Sequence, residues 1–455
     1  MEQRICEAYI DQKSELLWQL AKKIWENPEI GYHEVLACQS SAELLRSEGF
    51  EVEVGAYGIP TAIRAVWSNG KPVIGFCGEY DALPGLSQKV SATKDPVAPG
   101  APGQGCGHNL LGVACIGACI GLKAELENSG KEGTIIFYGC PAEELLTGKS
   151  LMAARGAFAE CDVALAWHPG NGNELTTGVM TGLDGVRFHF HGRTAHAAAN
   201  PQDGRSALDA VQLTNMGVEF LREHVTDDVR MHYVITDGGL APNIVPDTAS
   251  VSYFIRALEI DNLKDAYNRV VKCAEGAAHM TDTTLEVEHT GGCWPTLQNK
   301  VLCDVIYKNL LRIGNPEFSE EEYHFADSIN RNNPAFDPNA NIAPLNTQIE
   351  EPINANGFGS TDFGDVEHIV PGCMFTTTTS ASMAVGHSWM NTACVGSTIG
   401  QKGMLFGAKA MAASAMDLIE KPALIAAAKA EFDEATKNET YVSFMGEDVK
   451  DPSVN

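Results

Sequence analysis

Apolar residues fall into two rhythms along residues 1–182. LLWQLAKKIW and EVLACQSSAELLRSEG space them every three or four positions, which predicts amphipathic helices. EVEVG, TAIRAVW, PVIGFCGEY, GTIIFYGC and DVALAWH are short runs rich in apolar, β-branched and aromatic residues, which predict strands. The apolar run after Asn109 and the stretch KSLMAARGAF predict helices between them. Strands alternating with helices indicate an α/β fold with a mixed, largely parallel sheet and flanking helices.

Beyond residue 183 the rhythm changes. VRFHFHG alternates with a period of two, as a half-solvated strand does. Helix SALDAVQLTNMGVEFLREH, strands MHYVIT and ASVSYFIRAL, helix NLKDAYNRVVKCAEGAAHM and strand TLEVEH follow. That is a ferredoxin-like β-α-β-β-α-β unit. After GGCWP the α/β pattern resumes. The expected organisation is therefore an α/β domain, residues 1–182 and 297–455, interrupted by an α+β insertion, residues 183–296. Residues 324–360, rich in Asn and Pro, predict a long irregular segment, of the kind often tied to function.

With 59 acidic against 32 basic residues, the net charge is −27. That argues against a nucleic-acid partner, whose phosphates need Lys and Arg. No apolar run reads as a bilayer span, and the N-terminus lacks the basic and apolar regions of a signal peptide. The 13 cysteines are odd in number and scattered, as in a reduced cytoplasmic protein.

Candidate chemistry begins at GQGCGHNLLG, residues 103–112. Its glycines miss the dinucleotide fingerprint, and a Pro/Gly loop rather than a strand leads into it, which excludes a nucleotide site. A nucleophilic Cys106 beside His108, a pair of metal ligands, and a structural Cys and His at a loop bend all remain open on this stretch. Other stretches add weight to the ligand reading. Glu143 and Glu144 follow the strand GTIIFYGC, His168 ends DVALAWH, and Glu79 and Asp81 end PVIGFCGEYD. His387 follows a strand-like run in AVGHSW. Adjacent carboxylates repel unless a proton or cation lies between them, and strand ends are where α/β sheets place ligands. Thiolate, imidazole and carboxylate together suit Zn or Mn, in hydrolytic sites often as two ions.

The ordered set EYDALPG, GCGHNLLG, GCPAEE, AWHPG, GRTAHAAANPQDGRSALDAV, APNIVPD and GSTDFGDV resembles the M20 metallopeptidases over nearly the whole chain. Within them it resembles the amidohydrolase subgroup that includes the plant auxin-conjugate hydrolases. The resemblance implies a zinc-exopeptidase-like catalytic domain carrying a lid and dimerisation domain. It implies Cys106, His108, Glu144, His168 and His387 as ligands of two divalent ions, Glu143 as the catalytic base, and Asp81 as the residue that orients the first metal position. Where the wider clan has a histidine two residues before that aspartate, this chain has Glu79, so Cys106 is expected to supply the missing ligand. Where the subgroup often has Asp after the Cys-x-His pair, this chain has Asn109, a departure that bears on ligand orientation.

The resemblance further implies that His196 reaches a partner's active site and that Asn243 and Arg256 contact substrate. The implied activity is amide hydrolysis of N-acyl or N-aroyl amino acids, aminobenzoyl-glutamate leading. The alternatives are a dipeptidase, another conjugate hydrolase, or a non-catalytic subunit of a two-subunit hydrolase. A homodimer through the insertion is the expected assembly, with a heteromer as the alternative.

Overall fold

In the computed structural model, which describes residues 3–446 and 449–454, two sheets organise the chain. The first contains β1 (Glu51–Val54), β2 (Ile63–Ser68), β3 (Val73–Glu79), β4 (Thr134–Cys140) and β5 (Val163–Gly170). The second is built from β6 (Gly182–His191), β7 (Arg230–Asp237), β8 (Thr248–Ala257) and β9 (Thr284–Cys293). β10 (Gly372–Thr378) returns to the first, whose order is β1-β2-β4-β3-β5-β10. β4, β3, β5 and β10 run parallel, while β1 and β2 join antiparallel at one edge. The expected largely parallel sheet is present.

Every residue of β3 and β4 is buried, as in a parallel sheet covered on both faces. One face carries the helices Ile5–Gln12, Ser14–Glu26, His108–Ser129 and Thr398–Glu420, with Leu17, Leu111, Ile116 and Met411 in their shared core. The other face is packed by Ile59, Met152, Phe158 and Val366. His108–Ser129 is apolar all round, with Ala, Gly and Cys letting Thr398–Glu420 approach closely. Contrary to the sequence reading, this helix is long and apolar enough to span a bilayer, yet 89% of its apolar window is buried inside the protein. Its start is set by Gly107, whose φ of +91° a side chain would strain. Gly112 allows close approach to β3, since a Cβ there would meet the Glu79 carbonyl oxygen at 2.5 Å.

The second sheet has the order β7-β8-β6-β9, fully antiparallel. The helices Ala207–Leu221 and Ile260–Thr281 cover one face, over Phe188, Val251, Tyr253 and Ile255. The other face is partly exposed, and its Arg230, His232 and Arg256 line a cavity shared with residues at the first sheet's strand ends. This is the expected ferredoxin-like pattern.

The stretch 324–360 is not wholly irregular. Its first residues complete the helix Glu320–Asn330, which Ser319 and Glu322 start with a reciprocal capping box. Beyond it, the chain runs alongside the connection between β5 and β6, bridging Asn173 to Ile349, Thr176 to Ile353 and Met180 to Gly357. That course carries Phe358 and Ser360 to the junction of the two sheets.

Gly112→Ala should lower the midpoint of chemical denaturation, by about 1–3 kcal/mol of stability, because the methyl must push the helix off β3. An unchanged midpoint would show that the helix start shifts freely.

Candidate metal centre

The parallel strands end at one edge of the sheet, and the candidate residues gather there. Glu79 is the last residue of β3 and Asp81 follows it. Glu143 and Glu144 form a 3-10 turn after β4, His168 lies near the end of β5, and His108 opens the helix that follows Cys106. A crevice at the carboxyl ends of parallel strands is the general ligand position of such sheets. His387 differs from expectation. β10 ends at Thr378, and the chain reaches His387 through turns rather than from a strand. The residue takes a φ of +54° and donates its backbone N–H to the Gly105 carbonyl at 3.1 Å, tying it to the Cys106 loop.

Hydrogen bonds fix how each side chain points. Nδ1 of His108 lies 2.8 Å from Asp81 Oδ1, and the other Asp81 oxygen accepts the Glu144 backbone N–H at 2.9 Å. Asp81 therefore locks His108 with its proton on Nδ1 and pins the Glu144 turn. Nδ1 of His168 donates to the Pro169 carbonyl at 2.7 Å, leaving Nε2 facing Cys106 Sγ at 3.3 Å. Asn109 takes no part: its amide reaches the Ala21 carbonyl and its backbone N–H reaches Gln104.

Ligand atoms of Cys106, His108 and His168 lie within 4.8 Å of one another. So do those of Cys106, Glu144 and His387, and those of Glu79, His108 and Glu143. The first two sets share Cys106, so the two candidate ligand sets lie side by side. Nε2 of His108, Oε1 of Glu144 and Oε2 of Glu79 are buried with no hydrogen-bond partner among the described residues. An unpaired buried polar atom costs about 1–3 kcal/mol, so converging unpaired atoms of this kind fit a cation. Burial disfavours charge on His108, but Cys106, Asp81 and Glu79 together outweigh that and raise its pKa. A proton and a metal ion thus compete for one lone pair. Burial, with Glu79 and Asp362 nearby, pushes Glu143 well above the usual carboxylate range. Burial also lifts Glu144 to about 7 and lowers His168 to about 4.

Some of the supporting residues have no local sequence signal. Lys149 is fully buried, its Nζ 2.5 Å from both Glu79 Oε1 and Asp362 Oδ1. Glu34 accepts from Ala142 N at 2.7 Å and Thr61 Oγ1 at 2.9 Å, holding the left-handed Ala142 that turns the chain into Glu143. Both roles depend on contacts between distant segments.

A cavity of 730 Å³ opens above the cluster. Cys106, Glu143, Glu144, His168 and His387 form its floor, and Arg230, His232 and Arg256 of the second sheet form the facing wall with Phe358 and Ser360. Arg256 donates to Ser360 Oγ at 2.7 Å and to His232 Nε2 at 3.3 Å. Burial, then Arg256 and Arg222, lower the His232 pKa. His196 and Asn243 do not line this cavity. They lie together on two paired loops of the second sheet's unit, where Ala197 N donates to the Asn243 carbonyl.

Residues 180–281 match the family model of the M20 peptidase dimerisation domain. Over 450 residues the chain is 38% identical to one of the subunits of the p-aminobenzoyl-glutamate hydrolase of Escherichia coli, covering 93% of each. This chain belongs to the M20 peptidase family. The M20 relatives also include the Xaa-Arg dipeptidase of Mus musculus, 32% identical over 93% of this chain and 90% of that protein. A dinuclear metal-binding M20 peptidase from Bacillus subtilis shares the fold, with a TM-score of 0.57 and 14% identity over 88% of this chain and 98% of its own.

Lys149→Met should destabilise the protein by about 3–5 kcal/mol, because it strands Glu79 and Asp362 as buried uncompensated carboxylates. Adding Asp362→Asn should recover part of the loss in the same denaturation measurement. A single variant as stable as the parent would show that another group compensates these charges.

Proposed function

We propose that the protein is a metal-dependent amidohydrolase that cleaves the amide bond of N-acyl or N-aroyl amino acids, with aminobenzoyl-glutamate-like compounds favoured. The observation that carries this reading is the pair of ligand sets sharing Cys106, set directly beside Glu143 at the cavity floor. Cys106, His108 and His168 would hold one divalent ion, and Cys106, Glu144 and His387 the other. The mix of thiolate, imidazole and carboxylate suits Zn or Mn. When bound, such ions polarise the amide carbonyl and acidify water.

The chain's own residues supply the rest. Glu143 takes a proton from the attacking water as the new C–O bond forms, then delivers it to the amine nitrogen as the C–N bond breaks. Its raised pKa, due first to burial, suits a group that both accepts and returns a proton. Asp81 is a positioning residue, holding His108 in one tautomer and the Glu144 turn in place. Arg256 on the lid wall offers a guanidinium fork to the substrate carboxylate, and Asn243, beside the His196 loop and outside this cavity, would contact substrate only in a partner's site.

Two copies of the chain would complete each site. His196 is exposed, and its Nδ1 accepts from the Ala198 and Ala199 backbone N–H groups, so the proton sits on Nε2. In a dimer through residues 183–296, that N–H would reach the neighbour's cavity and donate to the developing oxyanion. A heteromer with a related chain is the second assembly, favoured by the relative that is named as one subunit of a hydrolase. The thiols, all free, suit a cytoplasmic setting.

Chelation should abolish hydrolysis of aminobenzoyl-glutamate, and Zn or Mn should restore it. Glu143→Gln should lower kcat about a hundredfold or more with metal content kept, since general base catalysis contributes about 10²–10⁴. A variant that turns over normally removes Glu143 from the reaction, and one that loses its metal makes it a ligand.

Mixing inactive Glu143→Gln chains with inactive His196→Ala chains should restore part of the activity once subunits exchange, because one site per mixed dimer then has both residues. A mixture that stays inactive after confirmed exchange places His196 outside the partner's site.

A further inference from the structure

The lid wall of the cavity carries an arrangement that the hydrolytic chemistry does not call for. Arg230 on β7 and Arg256 on β8 are direct cross-strand partners in the antiparallel ladder. Side chains so paired share one face, with Cβ atoms about 4.5–5.5 Å apart, and like charges placed this way destabilise a sheet. Among the described residues, neither arginine forms an ion pair with a carboxylate. Arg256 donates to Ser360 Oγ and His232 Nε2, both neutral acceptors. Arg230 donates to the carbonyls of Asp227 and Val229, and its guanidinium lies 4.5 Å from the Phe358 ring centre. These contacts fix both groups in place without cancelling their charge. They do so in a chain of net charge −27, where carboxylates are plentiful. Both arginines line the cavity whose floor holds the Glu143 cluster.

We infer that Arg230 is a specificity-determining residue, and that the Arg230–Arg256 pair selects a leaving amino acid with two carboxylates separated by a short carbon chain. Arg256, anchored by Ser360, takes the α-carboxylate, and Arg230, braced on Phe358, takes the side-chain carboxylate. A glutamate moiety has its two carboxyl groups three carbons apart, which suits two cations side by side on neighbouring strands. Planar guanidinium groups bind carboxylates through paired N–H donors, so each arginine can grip one group. A cationic side chain in the same place meets Arg230 as a like charge. The inference rests on the amidohydrolase reading for the identity of the bound compound, and on the cross-strand pair for the anion subsite.

The test compares 4-aminobenzoyl-glutamate, its glutamine counterpart and its arginine counterpart, which differ in side-chain charge. Hydrolysis is followed in the metal-loaded protein, and binding is measured by calorimetry in metal-loaded Glu143→Gln. Parent protein should favour glutamate over glutamine in kcat/KM by about tenfold or more, and arginine should be the poorest. Arg230→Gln should bring the glutamate-to-glutamine ratio near one. Arg230→Lys should keep part of the preference. A ratio that is near one in the parent, or that survives in Arg230→Gln, overturns the inference while leaving the hydrolase intact. A protein that hydrolyses none of the compounds overturns the hydrolase reading. In that case the subsite stands if binding of the glutamate compound weakens about tenfold in Glu143→Gln/Arg230→Gln, and falls if binding is unaffected.

Discussion

The crowding of buried carboxylates at the strand ends is the constraint to which the rest of the centre answers. Glu79, Asp81, Glu143 and Asp362 are buried and converge with half-buried Glu144 at the cavity floor, and each ionised group withdrawn from water there needs a partner. Lys149 answers Glu79 and Asp362 from below, and His108 answers Asp81. What they leave among the described residues is Glu79 Oε2, Glu144 Oε1 and His108 Nε2 without hydrogen-bond partners, with Nε2 3.3 Å from Glu79 Oε2. The same crowding that makes the site costly makes it receptive to cations, and burial with Glu79 and Asp362 nearby lifts Glu143 well above the usual carboxylate range. Glu79 is instructive. Its carboxylate is balanced by a fully buried lysine, Lys149, from a distant stretch of chain.

Backbone geometry holds the crowded groups against their repulsion. Ala142 and Leu146, both left-handed, bracket the Glu143–Leu145 turn, and Glu34 secures Ala142 by its N–H. Left-handed conformations cost energy for residues with a Cβ and persist where surroundings over-determine them. Here the surroundings are Glu34, Asp81 and the Lys149 segment, which are drawn from separate stretches of chain.

This separation explains which parts of the molecule are legible in its sequence. Strand runs ending in Glu-Glu, in His168-Pro169 and in Glu79-x-Asp81 place polar groups at one sheet edge by topology alone, so the floor of the site can be read from residue order. The ferredoxin-like unit is legible too, because its periodicity switches sharply at VRFHFHG. Lys149 is not, since in KSLMAARGAF it looks like any solvated helical lysine, and only folding buries it between Glu79 and Asp362. His387 is recognisable as a residue type, but its position depends on a turn that docks on the Gly105 carbonyl. Arg230 carries a partial signal. In RMHYVIT it shares a strand face with His232, but which face meets the cavity follows from helices Ala207–Leu221 and Ile260–Thr281 covering the other.

Floor and wall of the cavity answer to different demands. The floor gathers thiol, imidazole and carboxylate groups, several of them fixed by buried hydrogen bonds. The wall sits on the open face of a second sheet, and its side chains are only partly buried. Exchanging a wall residue leaves the floor's hydrogen bonds untouched, because among the described residues Arg230, His232 and Arg256 make theirs with Asp227, Val229, Ser360 and one another rather than with the floor. A change on the lid can therefore alter what the cavity admits without disturbing its floor. An arginine pair on the lid suits a dicarboxylate. In this fold, the charge on the lid strands is the feature that should track the leaving group.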